Sequence, residues 1–162
     1  MKYEIVELAA FSGERAAIYS IKIEDDGETL FDKFIESNQD SFPKEIKDLL
    51  QNIVQIGKYV GTREKYFKIN EGKPGDGVCA LFDWPEKKLR LYCIRYQSVA
   101  IIIGGGGYKP SHICAWQDDE NLKSEAELII KIAKDVNRRI KDNEIVLLEN
   151  TLYSDTPFIY EI

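Results

Sequence analysis

Three apolar segments, each of strand length, follow one another closely between residues 78 and 103. They span residues 78–84, 89–96 and 98–103, with a turn over 85–88 and a tighter one at Gln97. Connections this short join strands that run in opposite directions, because a parallel pair needs a crossover of a dozen or more residues. The sequence therefore predicts an antiparallel meander in the second half of the chain.

Amphipathic helices are predicted on both sides of this meander. Near residues 41–60, apolar residues recur at a 3.6-residue period behind Pro43. A second helix is predicted over residues 124–141, because Ser124 and Glu127 have the spacing of a capping box. The intervening residues 62–77 are polar, basic and glycine-rich, which is typical of a long loop.

The order of these elements predicts one α+β domain with helices packed on one face of a small antiparallel sheet. At 162 residues the chain is most simply a single domain, residues 1–162. Within it, residues 1–40 are expected to form an N-terminal hairpin and a short helix, and residues 41–142 the core. The tail, residues 143–162, is apolar and acidic, and we expect it to dock on the domain near the basic loop.

Cysteine use and apolar content predict a cytoplasmic protein that does not enter a membrane. The longest apolar run before the glycines covers only residues 99–103, too short to span a bilayer. Glu4 and Glu7 lie where a signal peptide would need an apolar stretch. Three cysteines, Cys79, Cys93 and Cys114, cannot all pair, so buried and reduced thiols are expected.

Charge is distributed unevenly along the chain, whose formal net charge is −6. Between residues 58 and 109, ten basic residues face five acidic ones. Screening limits a charge's field to about 8 Å at physiological salt, so an anion bound here would experience a basic surface. The other interpretation is that these charges are scattered over solvated faces.

A run of four glycines, residues 104–107, follows the last apolar segment and precedes Tyr108, Lys109 and Pro110. A phosphate-binding Walker loop needs Ser or Thr after the lysine, and a dinucleotide fingerprint needs a helix after the turn. Neither condition is met. Glycines that end a strand leave its backbone bare, so that either a neighbouring helix or a ligand can approach closely. The sequence leaves both alternatives open.

The stretch ALFDWPEKKLRLYCIRYQSVAIIIGGGGYKP resembles the sheet region of the RelE/ParE/HigB superfamily of type II toxins. Arg90, in LRLY, matches the family's strand arginine, and Gly107-Tyr108-Lys109 occupies the place of its closing Gly-Phe-x-Lys-Lys element. The similarity covers roughly residues 41–140. The chain departs from the family pattern at Asp83, where an arginine is frequent, at Pro110, which replaces the second closing lysine, and in its acidic net charge.

The resemblance implies a toxin of a type II toxin–antitoxin system that cleaves mRNA on the ribosome without a metal or other cofactor. It also implies a cognate antitoxin, expected to be a helix-turn-helix protein. Arg90 would bind the phosphate through its planar fork, and Lys109 would share that role or act as the acid. Tyr108 or Tyr92 would stack on a base or donate a proton.

Strand alternation places Arg90 and Tyr92 on one face of the sheet, so both can point into one site. Loop cations would guide the RNA backbone, namely Arg63, Lys65 and Lys68. Loss of the Arg90 side chain is expected to slow cleavage with little loss of folding stability. His112, the only histidine, has no visible carboxylate partner and is expected to be structural.

A second hypothesis is a non-enzymatic protein on the same fold, either a ParE-like binder of a topoisomerase or a protein-interaction domain. The acidic charge balance and Asp83 favour it. Arg90 together with Tyr108 and Lys109 favours the endoribonuclease.

Overall fold

The computed structural model of the protein describes residues 1–69, 71–82, 84, 86–111 and 115–162, and only the backbone of residue 118. Within these residues, seven strands form one mostly antiparallel sheet, with three α-helices and a two-stranded ribbon. The strands are β1 Lys2–Glu7, β2 Ala17–Ile23, β3 Phe67–Lys68, β4 Val78–Leu81, β5 Leu89–Tyr96, β6 Ala100–Tyr108, the ribbon strands β7 Val146–Leu147 and β8 Leu152–Tyr153, and β9 Ile159–Glu161. The helices are α1 Leu30–Asn38, α2 Pro43–Gln55 and α3 Glu120–Lys141.

The strands of the main sheet lie in the order β3-β4-β5-β6-β2-β1-β9. The meander β4-β5-β6 is antiparallel, which confirms the prediction from its short connections. β6 also contains the four glycines, so the strand is longer than predicted. The N-terminal hairpin joins the sheet through a parallel pairing of β2 with β6, and this makes the sheet larger than expected.

Helices cover both faces of the sheet, so the prediction of helices on one face is wrong. α3 packs on the face that carries Tyr92 and Ile94. α1 and α2 pack on the opposite face, which carries Leu91 and Cys93. Since successive side chains of β5 alternate between the faces and are apolar on both, each face needs its own cover of helices.

Helix starts follow local capping chemistry. Thr29 caps α1, and its hydroxyl accepts a 3.1 Å hydrogen bond from the Asp32 backbone N–H. α3 begins four residues earlier than predicted, because Asp119 and not Ser124 is its cap. The Asp119 carboxylate accepts a hydrogen bond from the Leu122 backbone N–H at 2.9 Å. The extra turn brings residues 120–123 into α3.

The C-terminal tail docks on the domain, as expected. β9 pairs antiparallel with β1 at one edge of the sheet, whereas β3 forms the other edge. Leu152 and Tyr160 are buried against the same core as α3. Among the described residues of the tail, only Glu149 and Asn150 lie near the basic loop, where they line a cleft together with Arg63.

Both cysteines that the structure describes are buried free thiols, Cys79 and Cys93, which lie opposite each other on β4 and β5. Burial raises the pKa of the Cys79 thiol to about 11. Cys114 lies outside the described residues. Of the helices described, none combines the length and the apolar character that crossing a membrane requires.

Asp135 of α3 ties the N-terminal strand and the helix together. Its carboxylate accepts hydrogen bonds from the Tyr3 hydroxyl at 2.7 Å, the Arg139 Nε at 2.8 Å and the Arg138 Nη2 at 2.9 Å. Burial alone would raise the pKa of Asp135, but these hydrogen bonds outweigh it and lower the pKa below its ordinary value. The ionised carboxylate therefore stabilises the fold.

Asp135→Asn is expected to lower the free energy of unfolding at pH 7 by about 1–2 kcal/mol, because bonds to a charged group are lost. The contribution is present above the unfolded-state pKa of about 3.9 and disappears as pH falls through the lower folded-state pKa. Urea unfolding should show that the difference in unfolding free energy between wild type and Asp135→Asn is smaller at pH 3 than at pH 7. Asp25→Asn is the control, since the Asp25 side chain is 92% exposed in its ion pair with Lys2. If this difference were as large at pH 3 as at pH 7, the stabilisation by Asp135 would not come from its charge.

Candidate functional site at the glycine strand

The glycine part of β6 is a free strand edge. β6 pairs with β5 on both sides of an irregularity at Gly104 and Gly105, where the register shifts. It pairs with β2 only from Ala100 to Ile103. At that point the Ser20 hydroxyl donates to the Ile103 carbonyl oxygen at 2.7 Å and accepts from the Phe31 N–H at 3.2 Å. The start of α1 thus separates β2 from β6, and no described strand lies beside residues 104–108 on this side.

The glycines allow α3 to lie directly against the strand. A Cβ built on Gly104 would lie 2.9 Å from the Ile129 Cδ1, and one on Gly107 would lie 2.5 Å from the Asn121 Nδ2. A Cβ on Gly105 would overlap the Glu125 carboxylate. Ordinary side chains would therefore displace the first turns of α3. Close approach of a helix, one of the two alternatives from the sequence, is what the bare strand permits.

An open cleft of about 230 Å³ remains between α1, residues 105–108 of β6 and the start of α3. We call it the glycine cleft. Its polar groups come from all three elements: Lys33, Ser37 and Asn38 of α1, Tyr108 of β6, and Asn121 and Glu125 of α3. The bare strand edge therefore faces a mixed set of donors and acceptors, which is the composition of a polar binding site.

Glu125 is a titratable group of the cleft, and its pKa is shifted by its surroundings. Its Oε2 atom is buried, and no described residue forms a hydrogen bond with it. Burial raises the pKa of Glu125, and the nearby charge of Lys33 partly opposes this rise. A carboxylate held in this way can accept a proton or an N–H group from a ligand.

Arg90 and Tyr92 lie in the protein interior. The structure places Arg90 directly opposite Gly107 in the ladder between β5 and β6. Arg90 is 2% exposed and Tyr92 is fully buried, on the face that α3 covers. The two side chains do share a face, as strand alternation predicts. That face is packed under α3, so a ligand on the surface does not touch either residue.

Tyr108 and Lys109 lie at the surface, at the same end of β5 and β6. Tyr108 is 50% exposed, and its ring stacks on Phe42 with 5.9 Å between centroids. The Lys109 Nζ lies 3.5 Å from the Trp84 carbonyl oxygen. Tyr108 pairs with Leu89, whose side chain belongs to the α1–α2 face. The four predicted catalytic residues are thus divided between the interior and the surface.

The predicted RNA-guiding cations are exposed, but they lie away from the glycine cleft. Arg63 adjoins the β5–β6 turn, because the N–H of its neighbour Thr62 bonds to the Ser98 carbonyl. That turn is about 20 Å along β5 from Arg90. Lys65 lies over the Tyr66 ring at 5.1 Å, and Lys68 is on β3, 3.1 Å from Glu71. None of the three lines the cleft.

A comparison with known proteins was made at three levels. No protein-family model, curated protein or solved structure matches the chain. Among the residues that the structure describes, no three His, Cys, Asp or Glu side chains gather as metal ligands. The glycine cleft is therefore the main guide to function.

Sequence reasoning missed Asn121 and Glu125. They lie four residues apart on α3, which is the spacing of neighbours on a helix surface, and they face Gly107 and Gly105 respectively. A helix predicted to begin at Ser124 leaves Asn121 outside it, so the pair could be found only from the Asp119 cap. Asp83 and His112, which the sequence singled out, lie outside the described residues.

Proposed function

We propose that the protein is a type II toxin of the RelE/ParE/HigB kind, an mRNA endoribonuclease whose RNA-binding site is the glycine cleft. The observation that carries this proposal is that Tyr108 and Lys109 come directly after the four glycines of β6, beside a cleft that the Glu125 carboxylate lines. An aromatic ring for stacking, a cation for phosphate and a carboxylate that accepts N–H groups of a base then adjoin one surface.

The chemistry needs groups of this chain and of the RNA together with water. The ribose 2′-OH is an internal nucleophile, and alignment alone can lower a barrier by about 7–11 kcal/mol in the best intramolecular cases. Water takes the 2′-OH proton while the 2′ oxygen attacks phosphorus. The 5′ oxygen leaves with a proton from the Lys109 ammonium, and a 2′,3′-cyclic phosphate remains on the other fragment.

The roles proposed here differ from those that the resemblance implies. Because Arg90 and Tyr92 are buried, they act as positioning residues beneath the strand rather than on the phosphate. Tyr108 keeps its role as a stacking platform, since half of its side chain is exposed. The ribosome as the place of cleavage and a helix-turn-helix antitoxin as partner are part of the same proposal.

A second candidate is a non-enzymatic toxin or interaction domain that acts by binding a protein. Two observations favour it. Arg90 and Tyr92 are withdrawn from the surface, and the C-terminal tail exposes four large apolar side chains. These are Val146, Leu148, Tyr153 and Ile159, each between 38% and 50% exposed. Val146 and Tyr153 are partners across the β7–β8 ribbon, and neighbouring exposed apolar groups often mark an interface.

Lys109→Ala is expected to lower RNA cleavage by about 10²-fold, by analogy with the loss of a group that stabilises transition-state charge. The fold should be little changed, because Lys109 lies beyond the last residue of β6. To measure this, the chain is produced without a partner at matched expression, and growth arrest and mRNA integrity are followed.

Lys87→Ala is the matched control, since Lys87 is a lysine on the turn before β5 to which the proposed mechanism gives no role. It should remain as toxic as wild type. A wild-type chain that arrests growth, leaves RNA intact and alters DNA topology would support the protein-binding candidate. If the wild-type chain neither arrests growth nor cuts RNA, the nuclease proposal fails.

A further inference from the structure

Glu125 is the group in the glycine cleft whose hydrogen bonding the protein leaves incomplete. Its Oε2 atom is buried and has no hydrogen-bond partner among the described residues. Buried polar atoms are nearly always satisfied in native proteins, so an exception calls for an explanation. A ligand that draws the Glu125 carboxylate away from Gly105 toward the cleft and donates an N–H group to Oε2 would provide one.

Other groups beside Glu125 extend the pattern of donors and acceptors. Asn121 lies one helical turn earlier, and its amide group lies over Gly107. The free edge of residues 104–107 adds backbone N–H and C=O groups that no described strand covers. Tyr108 forms one wall with an exposed ring. The arrangement suits a flat ligand with N–H donors, an acceptor and a face for stacking.

We infer that the glycine cleft selects guanine among the bases of single-stranded RNA, an inference that rests on the proposed RNA-binding function. A carboxylate accepts two parallel N–H bonds, and only guanine presents two adjacent donors on its Watson–Crick edge, N1–H and the N2 amino group. Adenine and cytosine place an acceptor beside their donor, and uracil places acceptors on both sides. Backbone N–H groups or the Asn121 amide donate to guanine O6.

The size of the cleft is sufficient for one base. The cleft is open to solvent and has a volume of about 230 Å³. One base can therefore enter at the strand edge, while the other nucleotides of the RNA lie along the surface that carries Tyr108 and Lys109.

The test compares uridine hexamers that carry one central guanosine, inosine or adenosine, with 2′-O-methyl riboses that block cleavage. Fluorescence anisotropy should show that the guanosine hexamer binds about 10- to 100-fold tighter than the adenosine hexamer. Inosine lacks the N2 amino group, so its hexamer should fall between the two. This comparison uses the wild-type chain and depends on no substitution.

Glu125→Gln should abolish the preference for guanosine, because an amide presents a donor where the base also presents donors. Glu127→Gln is the control, since Glu127 is exposed on the same helix and does not line the cleft. It should keep the wild-type ranking, and thermal unfolding should show that both variants are folded.

The outcomes separate the two levels of the proposal. Equal binding of all three hexamers by the wild-type chain would overturn guanine selection while RNA binding stands. If Glu125→Gln kept the preference for guanosine, Glu125 would not be the group that recognises guanine. Failure of all three hexamers to bind would overturn the proposed RNA-binding function and the guanine inference with it.

Discussion

Gly106→Ala is expected to lower the free energy of unfolding by about 3 kcal/mol, which is a large share of the stability of a marginally stable domain. A Cβ at residue 106 would overlap the Arg90 carbonyl oxygen and lie 2.9 Å from the Leu91 Cα. Both atoms belong to the backbone of β5, which is paired on its two sides with β4 and β6. The clash therefore cannot be relieved by rotating a side chain.

Gly27→Ala is the matched control, because a Cβ at residue 27 would have nothing within 4 Å. Urea unfolding of the two variants and of the wild type, followed by circular dichroism, measures the difference. Gly27→Ala should stay within about 0.5 kcal/mol of wild type. If Gly106→Ala were equally neutral, β5 and β6 would not approach each other as closely as described.

Arg90→Ala is expected to lower the free energy of unfolding by about 3 kcal/mol, against the expectation from the sequence of little loss of stability. Arg90 is 2% exposed and is among the largest fully buried side chains of the protein. Its removal leaves a cavity beneath α3, which is costly. Loss of activity in this variant would then follow from loss of the folded state.

Arg63→Ala is the control for this substitution, because Arg63 is exposed and its Nε donates only to the Val60 carbonyl oxygen, at 3.0 Å. It should be nearly neutral in urea unfolding. Cleavage measured per folded molecule, at a temperature where both variants retain their fold, separates stability from catalysis. An Arg90→Ala variant as stable as wild type but inactive would restore Arg90 to the catalytic site.

Local patterns predicted much of the fold. Short connections fixed the antiparallel meander, and helical periodicity located α2 and most of α3. The prediction that failed was that the helices pack on only one face of the sheet. Leu91 and Cys93 lie on one face of β5, and Tyr92 and Ile94 on the other. A strand apolar on both sides shows that two layers cover it, but periodicity alone does not show which helix supplies each layer.

The site could be predicted less well than the fold. Strand alternation correctly placed Arg90 and Tyr92 on one face, yet their burial depends on where α3 docks, which is a long-range contact. The two explanations of the glycines prove compatible, because α3 rests on part of the bare strand and the glycine cleft opens beside it. Glu125 lies about twenty residues along the chain from the glycines, and no sequence motif joins them.

Backbone amide signals in nuclear magnetic resonance spectra, followed while a short single-stranded RNA is added, show where the RNA binds. The RNA carries 2′-O-methyl riboses, so it binds without being cut. The largest shifts are expected at residues 104–108 and at Asn121 and Glu125, whereas residues 63–68 should shift little. Shifts confined to residues 63–68 or to the C-terminal tail, with the glycine signals unmoved, would contradict binding at the glycine cleft.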